Sequence, residues 1–329
     1  MKALLARLKI DTFILLLLGT VGLASLLPAR GTGAGIAGGA ADVGIVLLFF
    51  LHGARLSRQA VIDGARHWRL HATVGAVTYG VFPLLGLGIA ALPFLDPWLR
   101  TGLVFLTLLP STVQSSIAFT AMARGNVAGA VCSAAFSNLA GIVITPVLVA
   151  LMLTGEQGGI SGKAVLTIVV QLLLPFVAGH LLQPLIGNWI ARQRVLLLVV
   201  DRGSVLLVVY AAFSAAVVEG LWSQVSAGDM LTILGLSALL LAFVLVLTAL
   251  VGRWLGFARE DVIVLQFCGS KKSLATGVPM AGVLFPAATV GAVILPLMVF
   301  HQLQLMVCAV LAARYGRKAD ERVKEGHAS

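Results

Sequence analysis

Long apolar runs separated by short polar segments make up almost the whole chain. Ten of the runs have about the length, roughly 20 residues, that a helix needs to cross a bilayer. We therefore predict an all-α polytopic membrane protein with ten transmembrane helices. The predicted spans are residues 10–27, 40–56, 70–92, 98–122, 127–153, 164–186, 199–218, 230–251, 262–284 and 287–313.

The composition indicates the same class of protein. With 59% hydrophobic and 11% charged residues and a mean hydropathy of +1.03, the chain lies far outside the range of soluble globular proteins. All five tryptophans lie at or just beyond the ends of the predicted spans, where aromatic side chains meet lipid headgroups. These observations favour an integral membrane protein.

The net charge of +10 comes from basic residues that form short clusters between the apolar runs. Such clusters are typical of cytoplasmic loops and not of a nucleic-acid surface, so we exclude a nucleic-acid partner. The N-terminus, the even-numbered loops and the C-terminal tail contain 18 Lys and Arg residues, against 3 in the odd-numbered loops. The positive-inside rule then predicts that both termini are cytoplasmic, in a multi-pass protein of the inner (plasma) membrane.

Several local patterns carry little functional weight. The N-terminal apolar run lacks a convincing cleavage site, and we interpret it as a retained first span. Residues 33–38, GAGIAG, have the spacing of a dinucleotide-binding fingerprint without its strand context, and we predict a flexible outer loop there.

The three cysteines lie inside apolar spans without metal-ligand spacing. No arrangement of nucleophile and base is recognisable, so the sequence predicts no enzyme, cofactor or metal.

A polar, glycine-containing segment interrupts the ninth predicted span. It comprises residues 266–279, QFCGSKKSLATGVP, and places Lys271 and Lys272 near the middle of the apolar run. A lysine at that depth costs roughly 3 kcal/mol on insertion scales, and ionisable residues there usually face a water-filled or protein-lined cavity. Both lysines lie too far from either end of the span for easy snorkelling. They are therefore the first candidates for a functional site.

The fourth predicted span carries a similar interruption. In residues 109–116, LPSTVQSS, Pro110 removes a backbone hydrogen bond and the hydroxyl side chains offer replacements. Each half of the chain has five spans, so the halves would run through the membrane in opposite directions. Broken helices at equivalent positions of such a repeat predict a solute site near the bilayer midplane. Two local matches relate the halves: residues 116–120 with 273–277, and 136–139 with 300–303.

These segments resemble the bile acid:sodium symporter superfamily, and most closely its bacterial SBF-like branch of solute symporters, which is also similar to eukaryotic regulators of calcium homeostasis. The resemblance covers nearly the whole chain and is most specific in residues 109–116, 123–126 and 267–279. It implies a secondary transporter with a panel domain, a core domain and crossing broken helices in the fourth and ninth spans. The implied boundaries are 1–56 and 162–222 for the panel domain, 67–154 and 229–314 for the core domain, and 315–329 for a cytoplasmic tail.

The chain differs from sodium-coupled members of that superfamily at the positions that help to bind sodium. Their ninth-span glutamate and glutamine correspond to Phe267 and Lys271, and their third-span glutamine falls near Thr78. All 13 acidic residues are predicted to lie at span ends, in loops or in the tail. A lysine ammonium can take the place of a bound cation, and a lysine that releases its proton would itself be the coupling ion. We therefore expect sodium-independent transport.

The expected solute is a small organic anion, because two buried lysines and the positive ends of half-helices favour negative charge. Membrane lipid is the other expected partner. Adjacent lysines point about 100° apart on a regular helix, so one could face the solute and the other the core. The candidate solute-binding and ion-binding residues are Ser111, Thr112, Gln114, Ser115, Ser116, Ser137, Asn138, Gln266, Ser270, Lys271, Lys272, Ser273, His301 and Gln302.

Two other functions are compatible with the same pattern. The similarity to regulators of calcium homeostasis allows a non-transporting membrane regulator or sensor of ion homeostasis. A cation/proton antiporter is the alternative among transporters. Solute-dependent stabilisation that requires the Lys271 side chain would favour a binding site, whereas the absence of flux with any solute would favour a regulator.

Overall fold

The computed structural model describes residues 12–55, 67–153, 169–220 and 225–328, and within these ranges the chain forms helices and their connections without a strand. This confirms the predicted all-α class. Two π-helical turns occur, Val77–Val81 between α3 and α4 and Val169–Leu173 before α8. The α-helices are α1 (Thr12–Leu26), α2 (Thr32–Arg55), α3 (Trp68–Ala76), α4 (Phe82–Ala90), α5 (Pro97–Leu108), α6 (Gln114–Met122), α7 (Val127–Leu153), α8 (Leu174–Arg192), α9 (Arg194–Val218), α10 (Ala227–Trp254), α11 (Arg259–Gly269), α12 (Leu274–Leu284) and α13 (Ala287–Ala328).

Seven helices in the described ranges are long and apolar enough to cross a membrane. They are α2, the α3–α4 stretch, α7, α8, α9, α10 and α13. None of the other three predicted spans forms a single long helix within the described residues. The first begins among residues outside the described ranges, and the fourth and ninth are each divided into two short helices. The multi-pass membrane class agrees with this result, while the count of ten spans stays a prediction.

The long helices pack in two groups. In the first, α2 lies against α8 and α9, and α9 also lies against α1. In the second, α7 lies against α3, α5, α6 and α11, while α13 lies against α5, α6, α10 and α12. The groups meet mainly where α9 contacts α12 and α13.

Glycine allows α2 and α8 to approach each other closely. A Cβ atom added at Gly53 would lie 2.0 Å from the carbonyl oxygen of Phe176. One added at Gly179 would lie 2.0 Å from the carbonyl oxygen of Phe50. The two backbones are therefore in direct contact, as happens where small residues line a membrane helix crossing.

Two helices of the second group are interrupted near their middle, at the positions of the two polar segments. α5 ends at Leu108, and Leu109 is extended, with φ −79° and ψ 156°, as expected for a residue that precedes a proline. The chain becomes helical again at α6. α11 ends at Gly269, and Ser273 caps α12 by accepting a hydrogen bond from Thr276 N at 3.2 Å.

Two sequence predictions are wrong. Residues 33–38 do not form a flexible loop, because α2 begins at Thr32 and includes them. No proline occurs between Pro28 and Pro83, and glycine weakens a helix by only about 1 kcal/mol without ending it. Asp42 consequently lies inside α2 and not at its end, with an exposed side chain. No acidic residue in the described ranges is buried.

Other predicted features lie partly or wholly outside the described residues. The starts of the first and sixth spans belong to this group, as do several loop residues that contribute to the charge bias. The predicted tail begins as a continuation of the last span, since α13 runs through residues 315–328.

Candidate functional site

The two helix interruptions lie against each other and share hydrogen bonds. Ser273 N donates to the carbonyl oxygen of Pro110 at 2.8 Å. Ser116 Oγ donates to the carbonyl oxygen of Phe267 at 2.9 Å. The connection between α5 and α6 is therefore bonded to the start of α12, and α6 is bonded to α11. We call this region, where the two interruptions are in contact, the crossing.

Polar residues of α7 support the first interruption. Ser137 Oγ accepts a hydrogen bond from Ser111 N at 3.0 Å, and Asn138 Nδ2 donates to the carbonyl oxygen of Ser111 at 2.8 Å. Ser111 Oγ donates in turn to the carbonyl oxygen of Cys268. Asn138 Oδ1 also accepts from Thr276 Oγ1 at 2.8 Å. These side chains satisfy backbone groups that a broken helix would otherwise leave unpaired.

Lys272 is fully buried, and its ammonium group lies among main-chain carbonyl oxygens. Its Nζ lies 2.9 Å from Thr78 O, 2.9 Å from Thr107 O and 2.7 Å from Leu109 O. The centroid of the Phe82 ring is 4.0 Å away. These groups come from the π-helical turn, the start of α4 and the end of α5, so Lys272 joins the second interruption to three other segments.

Lys271 is equally buried but lies in different surroundings. Its Nζ lies 3.3 Å from Ser115 Oγ on α6. The ring centroids of Phe119 and Phe267 are 4.5 Å and 5.6 Å away. Neither ion pair between described residues includes Lys271 or Lys272. The crossing therefore contains two lysines, and no carboxylate in the described part of the chain is bonded to either of them.

Gln304 on α13 holds the backbone of the second interruption. Its Oε1 accepts a hydrogen bond from Lys272 N at 2.8 Å, and its Nε2 donates to the carbonyl oxygen of Lys272 at 2.9 Å. Nε2 also lies 2.9 Å from His301 Nδ1. Gln302 is placed differently, since its Oε1 is buried and has no hydrogen-bond partner in the described part of the chain.

Gln266 and Ser270 connect the end of α11 to its neighbours. Gln266 Nε2 donates to the carbonyl oxygen of Leu245 on α10 at 3.1 Å, and Gln266 Oε1 accepts from Tyr315 Oη on α13 at 2.9 Å. Ser270 Oγ donates to the carbonyl oxygen of Gln266. Both side chains therefore stabilise the end of α11 and do not line the cavity described below.

A cavity of about 690 Å³ lies beside the crossing, between the interrupted helices and the group of α2, α8 and α9. The structure divides the predicted binding residues into two sets. Six of them line the cavity: Thr112, Gln114, Ser115, Asn138, Ser273 and His301. The others lie behind its wall or away from it: Ser111, Ser116, Ser137, Gln266, Ser270, Lys271, Lys272 and Gln302.

The opposite wall of the cavity carries polar side chains that the sequence did not single out. They are His52 and Arg55 on α2, and Asp201 and Arg202 on α9. Arg55 Nη2 pairs with Asp201 Oδ1 at 2.7 Å, and the Arg202 guanidinium carbon lies 5.3 Å from the Phe13 ring centroid. In the sequence these residues sit in or near basic clusters at span ends, where loop charges look the same. With two guanidinium groups and one carboxylate, the wall is net positive.

Comparison with known proteins identifies the family of the chain. The model of the SBF-like CPA transporter family matches residues 11–317. "Uncharacterized protein PA2026" of Pseudomonas aeruginosa is 55% identical over 317 residues, 94% of each chain. "Putative symporter YfeH" of Escherichia coli is 50% identical over 314 residues, 95% of each chain. "Sodium/bile acid cotransporter 7" of Rattus norvegicus is 26% identical over 321 residues, 94% of this chain and 93% of that one. These matches confirm the family resemblance seen in the interrupted spans.

Proposed function

We propose that this chain, which belongs to the SBF-like CPA transporter family, is a secondary active transporter for a small organic anion. The observation that carries the proposal is the cavity beside the crossing. Hydroxyl and amide groups of the interrupted helices and α7 line one side, and a wall with two arginines and one paired aspartate lies opposite. Fixed positive charge with a few convergent polar groups suits a carboxylate or sulfonate in a largely apolar cavity.

The proposed transporter has ten spans in two inverted repeats of five. Helices α1 to α7 would form the first repeat and α8 to α13 the second, with an interrupted span at the fourth position of each. The panel domain would comprise residues 1–56 and 162–222, and the core domain residues 67–154 and 229–314. The packing of α2 with α8 and α9, apart from the helices that hold the crossing, supports this division.

We further propose that the cavity faces the cytoplasm in an inner-membrane protein with both termini cytoplasmic. The positive-inside rule assigns the end of α2 and the start of α9 to the cytoplasmic side, and Arg55 and Arg202 from these ends line the cavity. The structure would then be an inward-facing form. Movement of the panel domain against the core domain would close this side and open the other, as in other inverted-repeat transporters.

Electrostatics support an anionic solute. Because Asp201 neutralises Arg55, Arg202 provides the excess positive charge on the α9 wall. Lys271 adds a second cationic side chain, next to the cavity-lining Ser115 and Phe119. Asp201 is the one carboxylate among the described residues that line the cavity. A unit charge about 8 Å from an anion stabilises it by about 2 kcal/mol at an effective dielectric constant near 20.

Transport is further proposed to be independent of sodium. The carbonyl oxygens that face the crossing surround Lys272 Nζ, so a sodium ion there would have to find other oxygen ligands. Every acidic residue in the described ranges is at least partly exposed, and both cationic side chains at the crossing would repel the ion. The same arrangement disfavours a cationic solute.

A ligand-stabilisation screen followed by flux measurement tests the proposal. The purified protein is heated in detergent with carboxylates, sulfonates and cations, with and without sodium, and stabilising compounds are then tested for uptake into proteoliposomes. We expect anions to raise Tm and to be transported. Arg202→Gln should weaken both effects, whereas Arg253→Gln, at an exposed position near the end of α10, should not.

The other outcomes of the screen correspond to the two alternative functions. Uptake of cations without uptake of any anion would contradict the proposal and would favour a cation/proton antiporter. Solute-dependent stabilisation without flux of any solute would favour a regulator or sensor.

A further inference from the structure

The carbonyl oxygens around Lys272 are ones that no helix uses. In a continuous helix, Thr107 O would accept from Ser111 N, but Ser111 N donates to Ser137 Oγ instead. Leu109 O lies beyond the last residue of α5, in the connection to α6. Both oxygens are therefore free to face the ammonium group of Lys272.

The third oxygen is freed by the π-helical turn and by a proline. Phe82 N, the helical donor four residues after Thr78, donates to Val77 O. The donor five residues after Thr78 would be Pro83, which has no N–H group. Thr78 O consequently has no donor at either of these two positions, and it accepts from Lys272 Nζ at 2.9 Å.

The arrangement of three oxygens matches the charged form of the side chain. A protonated lysine has three N–H donors, which matches the three oxygens at 2.7–2.9 Å. A neutral amine has only two N–H bonds and would leave one buried carbonyl without a donor. The Phe82 ring at 4.0 Å adds an attraction that only a cation receives.

We propose that these three carbonyl oxygens and the Phe82 ring form a monovalent-cation site, which Lys272 fills with a covalently attached cation. Carbonyl oxygens without a carboxylate are the ligands of potassium-selective filters. The distances of 2.7–2.9 Å exceed the roughly 2.3–2.6 Å of calcium and the roughly 2.0–2.1 Å of magnesium. A chain without the Lys272 side chain should therefore bind ammonium or potassium at this place.

The site should persist when the side chain is removed. The main chain of Lys272 is held by Gln304 through both its N–H and its carbonyl group. Two of the oxygens belong to Thr107 near the end of α5 and to Leu109 directly after it, and the third belongs to the π-helical turn, which packs against α5. The sequence had assigned the role of a bound cation to Lys271, but Lys271 Nζ contacts one hydroxyl oxygen at 3.3 Å and two aromatic rings. The three carbonyl oxygens around Lys272 Nζ therefore indicate that Lys272, and not Lys271, takes the place of a bound cation.

Chemical rescue of Lys272→Ala tests the proposal. Tm is measured for the full-length protein in detergent with about 100 mM chloride salts of ammonium, methylammonium, potassium or choline at constant ionic strength. In choline, the variant should melt at least about 5 °C below wild type, because buried carbonyl oxygens lose their donors. Ammonium or potassium should restore at least half of that loss. Wild type and Lys271→Ala should show no such difference between salts.

A second variant and a second measurement keep the proposal testable if the Lys272→Ala protein folds poorly. Lys272→Gln keeps most of the side-chain length but lacks the charge and the third donor, and it should be destabilised without rescue because the amide fills the site. If Lys272→Ala cannot be purified in choline, the yield of monodisperse protein extracted in ammonium is compared with that in choline.

Two results would overturn the proposal: wild-type stability of Lys272→Gln, or equal behaviour of Lys272→Ala in ammonium, potassium and choline. The readout is stability and involves no solute. A failure here is therefore distinguishable from a failure of the proposed transport function.

Discussion

Arg55 and Asp201 form an ion pair of 2.7 Å that connects α2 to α9 at the cavity wall. The two side chains are 29% and 18% exposed, so the pair is partly screened by solvent and stabilises the fold by at most about 1 kcal/mol. Its larger effect is on the cavity, because Asp201 cancels the charge of Arg55. The pair therefore limits how strongly this wall attracts an anion.

Replacement of Asp201 should strengthen anion binding. Asp201→Asn removes one negative charge and leaves Arg55 without its carboxylate, so we expect the Kd for a stabilising anion to fall several-fold with little change in Tm of the unliganded protein. Isothermal titration calorimetry measures the Kd. Glu219→Gln, an exposed substitution beyond the other end of α9, is the control. An unchanged or weaker affinity in Asp201→Asn would contradict an anion site at this wall.

Lys271 should contribute to anion binding from the other side of the cavity. Lys271→Gln keeps a hydrogen-bond donor near Ser115 Oγ and removes the charge, so we expect the Kd for the anion to rise by about tenfold. Lys318→Gln removes an exposed charge from α13 and should leave the Kd unchanged. Equal affinities in the two variants would show that Lys271 does not act on the solute.

Gln304 and Gln302 provide a matched test of the support for the second interruption. Gln304→Met removes two hydrogen bonds to the buried main chain of Lys272, which should lower the free energy of unfolding by about 2–4 kcal/mol. Gln302 Oε1 has no partner among the described residues, so Gln302→Met should change it by less than about 1 kcal/mol. Denaturant titration of both variants in the same detergent measures the difference. Equal stabilities would mean that Gln304 does not brace the interruption.

The interruptions could be predicted from the sequence, because their causes are local. Pro110 excludes a regular helix at the residue before it, and the polar run around Lys271 and Lys272 cannot lie in lipid. The directions of the two lysines could not be predicted, because they depend on three segments that lie far apart in the chain. Thr78 and Thr107 attract Lys272 through main-chain oxygens, which leave no signature in their side chains.

The charged cavity wall was missed for a different reason. Arg55 and Arg202 lie in clusters that the positive-inside rule explains completely, so only their approach to the crossing distinguishes them from loop residues. For residues 33–38, by contrast, the local sequence does allow the correct prediction of a helix. The absence of any proline between Pro28 and Pro83 allows one helix through them, and glycine content alone was a poor reason to predict a loop.

The close contact between α2 and α8 should be sensitive to a single methyl group. Gly53→Ala would place Cβ 2.0 Å from the carbonyl oxygen of Phe176, so the helices must separate and stability should fall by about 1–3 kcal/mol. Gly39→Ala lies on the same helix with no atom within 4 Å, and it should be neutral or stabilising by up to about 1 kcal/mol. Thermal unfolding in detergent compares them. Similar losses in both would indicate a backbone effect and not a packing effect.

The wild-type protein should bind its anion equally well in sodium and in potassium. Ser115 Oγ accepts a hydrogen bond from the ammonium group of Lys271 at 3.3 Å, while Ser116 Oγ is bonded to the main chain of Phe267. A sodium ion on these oxygens would lie about 4 Å from the ammonium group, where two unit charges repel by roughly 4 kcal/mol at an effective dielectric constant near 20. That repulsion weakens sodium binding about a thousandfold. The check is the Kd of the anion in matched sodium and potassium chloride, for wild type and for Lys271→Gln. In this variant the repulsion from Lys271 is absent, and sodium dependence should appear. Sodium-dependent anion binding by the wild type would show that the cation has ligands away from Lys271, and the sodium-independent mechanism would then be wrong.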